Sequence, residues 1–462
     1  MKRYILFPFA IICALTACNK GHDTSIDPPK IKIDTLAREI TADLTLDVNT
    51  NYILDGQVYV KNNATLTIPA GITISVLKND VAANKGILVI TAGSKLVVNG
   101  TVDKPVVFTS AATSKAPGDW GAIIILGKAP TNIGTGNVEG LTISADTKFG
   151  GTVLDDNSGS IKYLRLEYCG GINPDAEEEW AIDKASGFCL ESVGSATTID
   201  NVMVTHSKDD GFQFVGGTVN VSHLIGYNNG DDDFDFDYGY TGKMQYLISY
   251  RTELTSTHAL RANALESYND AVPTTNAPLT RPIISNMTII GPEGTETVKT
   301  NLNQGVYIRK GTRFILQNSI IAEYPQGGLM VCPRTKPPLM TGAGSEFKYN
   351  LVQSDSVSRT FSYDNGSDPA GFRGVNGDEQ LKDFALNSVN KNELILVSAD
   401  LKLTKMYDAV NGPDLTPLSG SPAASGSNFD GDNFSSFFTA VTYRGAIGQV
   451  NWAAAGKWAV WK

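Results

Sequence analysis

Seven aspartates lie in two short stretches at a spacing that could hold a metal ion: Asp209, Asp210, Asp231, Asp232, Asp233, Asp235 and Asp237. A shift of 22 residues carries Asp209 onto Asp231 and Asp210 onto Asp232. If the two stretches lie on neighbouring coils of a solenoid, the paired carboxylates stand about 4.8 Å apart. Like charges at that distance repel each other unless a cation or a proton lies between them. Calcium, which takes about six to eight oxygen ligands, is the predicted ion, and a solvated acidic turn is the alternative.

The same region also offers groups for acid–base chemistry on a glycan. Asp233 and Asp235 are two residues apart on one strand face, or about 6.6–7 Å. Inverting glycosidases place two carboxyls about 6.5–9.5 Å apart. A β-elimination lyase would need calcium and a basic residue, for which Lys208, Arg261 and Arg309 are available. The chain has no Ser-His-Asp order, phosphate loop or dinucleotide motif, so we expect a non-enzymatic binding or structural role, with a polysaccharide hydrolase or lyase as the alternative.

Side chains near the aspartates are candidates for contact with a ligand. The predicted set is His206, Lys208, Tyr240, Arg261, Glu266 and Arg309. We interpret His206 as a turn histidine bonded to a carboxylate rather than as a general base. Tyrosines of this region could stack on a sugar ring. The alternation of side chains along the strand predicts that Tyr238 points inward.

Alternation and repetition together predict the elements that position these residues. Phe234 and Phe236 alternate with aspartates, as in a β-strand with one buried face. The shift of 22 residues that relates Asp209 to Asp231 also carries Gly71 onto Gly93, with matching apolar residues around them. Repetition of this kind is typical of a solenoid, in which stacked coils share one core. The sequence therefore predicts an all-β, right-handed parallel β-helix with about 22 residues per coil.

Turn residues and loosely periodic segments divide the chain further. Asn201, Asn286 and Asn318 each open a strand-like run, and asparagine tolerates the unusual backbone angles of coil turns. The period loosens at 127–158 and 251–281, which we interpret as loops that leave the coil and could carry function. We predict the β-helix over residues 41–400. Residues 401–462 are predicted to cap its last open coil, with their tryptophans packed rather than bound to a ligand.

Composition limits the partners. The chain has 462 residues and a formal net charge of −10, which argues against nucleic acid and is compatible with cations, neutral glycans or basic partners. A glycan or an outer-membrane protein is the expected partner. Away from the N-terminus there are three cysteines, Cys169, Cys189 and Cys332. We expect them to be small buried residues. A disulfide between Cys169 and Cys189 is the alternative.

The N-terminus is typical of export. Met1, Lys2 and Arg3 precede a short apolar run that is too short for a comfortable membrane span. Residues 1–17 are thus a predicted signal peptide. The run Leu-Thr-Ala-Cys ending at Cys18 resembles a bacterial lipobox, in which the cysteine is lipidated. Residues 18–40 would then be a lipidated tether, and we expect an outer-membrane protein that faces the cell exterior.

Six short motifs, in this order, resemble those of a family of parallel β-helix outer-membrane lipoproteins of Bacteroidota. They span residues 66–74 (LTIPAGITI), 118–121 (GDWG), 209–212 (DDGF), 237–245 (DYGYTGKMQ), 264–270 (ALESYND) and 443–448 (YRGAIG). The resemblance covers roughly residues 41–450. It implies a right-handed parallel β-helix at the cell surface, and it assigns no catalytic residue.

Overall fold

The computed structural model describes residues 32–171, 186–252, 262–270, 275–294, 299, 302–365, 376–408, 411–434 and 436–462. The predicted signal peptide, the lipidation site at Cys18 and the candidate ligand residue Arg261 lie outside these ranges. Among the described residues, no helix is long and apolar enough to cross a membrane.

Two long sheets, here called sheet 1 and sheet 2, form the walls of a parallel β-helix. Sheet 1 has seventeen strands: Lys32–Thr35, Leu44–Thr45, Thr50–Leu54, Thr65–Pro69, Thr73–Val76, Lys95–Asn99, Val106–Ser110, Gly159–Glu167, Thr198–Thr205, Asn220–Tyr227, Lys243–Tyr250, Ile283–Ile290, Ile315–Gln317, Ile320–Ala322, Glu346–Lys348, Leu351–Val352 and Glu393–Leu394. Sheet 2 has twelve: Glu39–Ile40, Gln57–Val60, Ile87–Ile90, Ile123–Leu126, Phe188–Glu191, Phe212–Val215, Phe234–Asp237, Leu265–Ser267, Gln304–Ile308, Gly327–Val331, Phe361–Tyr363 and Asn376–Gly377.

Short elements complete the described chain. Two hairpins pair Gly136–Asn137 with Lys148–Phe149 and Leu403–Lys405 with Asp414–Pro417. The α-helices are α1 (Lys336–Thr341) and α2 (Glu379–Ala385). Single 3₁₀ turns occur at Ala82–Asn84, Ala145–Thr147, Val357–Arg359, Ser398–Leu401, Pro422–Ala424 and Trp452–Ala454. The all-β parallel β-helix that the sequence predicts is confirmed.

Columns of apolar side chains run along the inside of the coil. Phe188, Phe212, Phe234 and Leu265 are register partners on successive strands of sheet 2, and all are buried. The rings of Phe212 and Phe234 stack with centroids 5.1 Å apart. Each buried phenylalanine contributes about 1.5–3 kcal/mol relative to exposure. One coil alone could not bury its apolar face, so stacking makes the core continuous.

The coil length varies along the solenoid. Phe212 pairs with Phe234 and Leu44 with Leu66, which confirms the 22-residue shift at those coils. The same shift is wrong at the next coil, where Leu66 pairs with Leu96 rather than with a residue 22 positions later. Residues 78–86, which include a 3₁₀ turn, lengthen this coil before sheet 2 resumes at Ile87.

The asparagines singled out in the sequence lie at bends of the coil, as predicted. Asn201, Asn286 and Asn318 all have φ of 56°, the left-handed region. Asparagine is among the few residues that adopt this conformation readily. The side-chain amide of Asn286 donates to the carbonyl of Tyr443 at 3.0 Å, so the bend also binds the C-terminal segment.

The ends of the β-helix differ from the sequence prediction. Strand Lys32–Thr35 pairs with Thr50–Leu54, so the solenoid begins inside the segment predicted as a tether. Helix α2 lies against the last strands of sheet 2 and buries Leu381 in the interior core. The predicted cap over 401–462 is therefore wrong in position.

The C-terminal segment instead packs along the outside of sheet 1. Trp458 and Trp461 lie in one cluster with Met203, Ile225 and other outward residues of that sheet. The backbone N–H of Lys457 donates to the carbonyl of Val102 at 2.8 Å. This contact returns the chain end to the N-terminal half of the solenoid. The tryptophans pack, as predicted.

The three cysteines of the β-helix are buried and free. Cys169 belongs to the interior core, whereas Cys189 belongs to a cluster on the outer face of sheet 2. The alternative prediction of a disulfide between them is wrong because Cys169 lies inside the coil and Cys189 lies outside it. Burial raises the pKa of the Cys169 thiol to about 12.

Candidate functional site

Three of the predicted metal ligands meet at the corner where the chain enters sheet 2. Carboxylate oxygens of Asp209, Asp210 and Asp231 all lie within 4.8 Å of one another, and the three residues are buried. We call these residues the corner trio. They sit in the turns that precede strands Phe212–Val215 and Phe234–Asp237. The register of those strands places Asp209 one coil before Asp231, as the sequence predicts.

Asp232 continues the same corner by hydrogen bonds between coils. The carboxylate of Asp210 accepts from the backbone N–H of Asp232 at 2.9 Å. That of Asp232 accepts in turn from the backbone N–H of Asn263 at 2.6 Å. Burial, with the charges of Asp231 and Glu266, raises the pKa of Asp232 well above its ordinary value. An all-oxygen cluster of this kind suits a hard cation such as calcium.

Asp233 does not belong to this corner, and its prediction as a metal ligand is wrong. Strand Phe234–Asp237 begins one residue later. The carboxylate of Asp233 accepts hydrogen bonds from Ser249 at 2.5 Å and from Asn229 at 2.8 Å. It also lies 3.5 Å from the guanidinium of Arg251, which is itself buried. These contacts hold Asp233 in a closed structural pair.

The outer face of sheet 2 carries a second polar group of residues. Register places Gln213, Asp235 and Glu266 side by side on successive strands. Arg309 donates to Glu266 at 2.6 Å. We call Asp235, Asp237, Glu266 and Arg309 the outer strip. The predicted glycosidase pair of Asp233 and Asp235 is absent because these two side chains belong to different environments.

Basic and aromatic side chains border the outer strip. The ammonium of Lys310 lies 4.9 Å from the ring centroid of Tyr268. Burial and the neighbouring Arg309 lower the pKa of Lys310. On the acidic side, burial raises the pKa of Asp237 well above its ordinary value. The outer strip thus contains a carboxyl that keeps its proton to a higher pH than usual, and it lies beside a lysine that releases its proton more readily than usual.

A cavity of about 280 Å³ opens on the same face of the sheet. Its floor includes Ile124, Cys189 and Val215 of sheet 2. Its other wall is formed by residues 127–158, here called the excursion, through Val138 and Phe149. The sequence predicted this segment as a loop that leaves the coil. The structure folds it back over sheet 2, where it shelters the outward side chains.

Glu191 is a buried carboxyl that lines this cavity, together with the buried thiol of Cys189. It is 5% exposed, and its Oε2 has no hydrogen-bond partner among the described residues. Burial, and to a lesser degree the charge of Glu139 on the excursion, raise the pKa of Glu191 to about 8. Tyr238 and Tyr268 also line the cavity, with ring centroids 5.7 Å apart at 78°.

Other predicted ligand residues fall in different places. Tyr240 is wrong as a ligand residue, because it is fully buried in the coil and its hydroxyl donates to the carbonyl of Val219 at 2.8 Å. Tyr238 lies outside the coil, not inside as predicted, because its φ of 47° breaks the alternation. The ring of His206 bonds the Thr205 hydroxyl at 2.7 Å and stacks on Tyr168.

Lys208 directly precedes Asp209 of the corner trio in the sequence, and its side chain is half-buried. Its aliphatic stem packs against Gly118, where an added Cβ would lie 2.7 Å from the lysine Cδ. Glycine at that position therefore permits the close approach.

Sequence reasoning missed Glu191 and Glu139. A signal for Glu191 exists in the register, which aligns it through Val215 with Asp237 two coils later. The coil that carries Glu191 is 24 residues long rather than 22, as the pairing of Phe188 with Phe212 shows. Nothing local in the sequence marks Glu139, which reaches the cavity only through the fold of the excursion.

Comparison with known proteins identifies the family. A family model described as a pectate-lyase like beta helix domain matches residues 38–383. The chain belongs to the pectate-lyase-like β-helix family. The matched region includes the corner trio, the outer strip and the cavity, and it ends inside α2. No curated protein and no solved structure matches the chain. Membership thus supports the fold and leaves the activity to be argued from the site.

Proposed function

We propose that this pectate-lyase-like β-helix protein binds an extracellular glycan, without cleaving it, on the outer face of sheet 2. The main support for this proposal is that the cavity and the outer strip meet at Tyr268. This tyrosine lines the cavity, and its ring lies beside Lys310 at the border of the strip. Aromatic rings suit the apolar faces of sugars, while carboxylates and Arg309 suit their hydroxyls. Parallel strands hold these groups on one rigid surface.

A polysaccharide-active enzyme is the second candidate, and Lys310 is the observation that favours it. The lowered pKa of Lys310, next to the acidic residues Asp235 and Asp237, is what a lyase would need in a base. A hydrolase is less well supported, because Asp233 is held by Arg251 and cannot form the expected carboxyl pair with Asp235. Binding therefore stands first.

The proposed setting is the outer membrane, with a lipid on Cys18 as the anchor and the β-helix facing the cell exterior. The support is the N-terminal pattern, in which a basic start and an apolar run precede Leu-Thr-Ala-Cys. An outer-membrane protein is a further proposed partner. Nucleic acid is not proposed, since the net charge of −10 would repel it.

Calcium is the proposed ion of the corner trio. Three buried carboxylates with oxygens within 4.8 Å of one another would gain from a shared divalent cation. The ion would brace the turns that lead into two adjacent strands of sheet 2. Asp232, which bonds Asn263, would extend this support to the coil that carries Glu266.

Glycan binding can be tested by native electrophoresis through gels that contain soluble neutral or acidic polysaccharides. We expect at least one polysaccharide to retard the protein. Tyr268→Ala should abolish the retardation, whereas Tyr52→Ala, which removes a tyrosine from sheet 1, should not. Equal retardation of both variants would contradict the location of the site. New reducing ends or unsaturated sugars in the same mixtures would show that the protein cleaves the polysaccharide, which would contradict binding without cleavage.

The calcium proposal has a separate test in thermal unfolding with excess calcium or with a chelator. An ion at a free concentration of about 100 times its dissociation constant stabilises the folded state by about 2.7 kcal/mol. We expect calcium to raise the midpoint of the wild type and of the exposed-site control Asp103→Asn, and not that of Asp231→Asn. A wild-type midpoint insensitive to chelation would refute the ion.

A further inference from the structure

We propose that the cavity under the excursion is a subsite for one neutral sugar unit, in which protonated Glu191 donates a hydrogen bond to a sugar hydroxyl. This inference rests on the proposed glycan-binding function and adds the ligand's charge, its size and a named donor. It concerns the cavity under the excursion rather than the outer strip.

Size and lining fix the class of ligand. The volume of about 280 Å³ lies just below the range of about 300–1,000 Å³ for small-molecule pockets, so the cavity admits a single ring rather than an extended chain. Ile124 and Val215 give it an apolar floor for the C–H face of a ring. Gln213, Asn137 and Glu191 add polar atoms to its lining. Apolar faces with polar rims are the surface of a neutral monosaccharide.

One carboxyl oxygen of Glu191 is placed to form a hydrogen bond with a ligand. Its side chain is almost fully buried, and Oε2 has no hydrogen-bond partner among the described residues. A buried polar atom without a partner destabilises the folded protein, and a hydrogen bond to a ligand hydroxyl would offset that cost. Because the raised pKa of Glu191 is about 8, the carboxyl carries its proton at neutral pH and can donate.

The groups around Glu191 set the charge preference. Glu139 faces it from the excursion and contributes a negative charge. Asp237 lies two strands away, and burial raises the pKa of that carboxyl. Burial also raises the pKa of Tyr238 and of Tyr268, so both phenols stay neutral. An anionic sugar would be repelled by Glu139, and a cationic ligand would favour ionised Glu191.

These preferences give opposite dependences on pH. With a pKa of about 8, the protonated fraction of Glu191 falls about 30-fold between pH 6.5 and pH 9.5. Affinity for a neutral sugar should therefore fall about 30-fold over this interval. A cationic ligand would bind more tightly as the pH rises.

The experiment is calorimetric titration of the whole protein at pH 6.5 and 9.5 with three probes: neutral oligosaccharides from β-glucan, mannan, galactan and xylan, polygalacturonate fragments, and N-trimethylated chitosan oligomers, whose quaternary ammonium groups stay cationic at both pH values. Glu191→Gln keeps a donor at every pH, whereas Glu191→Ala removes it. We expect binding of a neutral probe that weakens about 30-fold at pH 9.5 in the wild type, stays constant in Glu191→Gln and is lost in Glu191→Ala.

Each other outcome has a definite meaning. Unchanged neutral-probe binding by Glu191→Ala would overturn the subsite while leaving the proposed glycan function intact at the outer strip. Binding that is independent of pH in the wild type, or confined to the anionic or cationic probe, would overturn the role of the Glu191 proton. Absence of binding by every probe at both pH values would overturn both this inference and the proposed function. Circular dichroism of the variants separates loss of binding from loss of fold.

Discussion

Replacing Glu191 by glutamine should stabilise the protein, and by an amount that depends on pH. Burial raises the pKa of Glu191 from an ordinary value of 4.5 to about 8. Below pH 4.5 the carboxyl is neutral in both the folded and the unfolded chain. Between pH 4.5 and 8 the unfolded chain releases the proton and the folded chain keeps it. Each pH unit in this window therefore lowers the free energy of unfolding by about 1.4 kcal/mol.

The magnitudes follow from the same two values. Relative to the wild type, Glu191→Gln should leave the free energy of unfolding almost unchanged at pH 4. It should raise that free energy by about 3 kcal/mol at pH 7 and by about 5 kcal/mol at pH 9. For a chain of this length, 1 kcal/mol corresponds to a shift of roughly 1 °C in the midpoint. Calorimetric unfolding of both proteins at the three pH values measures the difference. A difference that is constant across pH would show that folding does not raise the pKa of Glu191, which would contradict this expectation.

Two further predictions concern parts of the structure away from the cavity. Asp233→Ala should lower the free energy of unfolding by about 3–5 kcal/mol, because it leaves Arg251 buried without its carboxylate. Denaturant titration measures the effect, with Asp235→Asn on the outer face as the control. An equal effect of the two substitutions would contradict the structural role of Asp233. Trp458→Ala should cost about 3–5 kcal/mol of packing. In limited proteolysis it should release the C-terminal segment before the coils unfold, and cleavage at wild-type rates would contradict that expectation.

The architecture was predictable because its signals are local and repeated. Alternation placed Phe234 and Phe236 inside, and both are buried. The repeat failed at Gly71 and Gly93, which both have positive φ and mark turns rather than one coil spacing. Such turns recur wherever strands end, so resemblance between turns does not fix the register. Only the extra residues at 78–86, which pattern alone could not assign, explain why Leu66 pairs with Leu96.

Only part of the site was predictable, because spacing does not show where each side chain points or which distant segment covers it. Spacing brought Asp209, Asp210 and Asp231 together. Spacing could not show that the chain bends at Asp233, just before strand Phe234–Asp237, where the carboxylate lies beside Arg251. Glu191 was beyond reach because its burial depends on the excursion, whose contacts with sheet 2 are long-range. A carboxylate in a strand carries no local mark of what will later cover it.

The most direct test of the binding surface is a crystal structure of the protein soaked with a neutral oligosaccharide that retards it in native gels. We expect electron density for sugar on the outer face of sheet 2, in contact with Tyr268 and with one ring within hydrogen-bond distance of Glu191. Sugar bound instead on sheet 1, for example against Trp452 of the C-terminal segment, with the cavity empty, would contradict it.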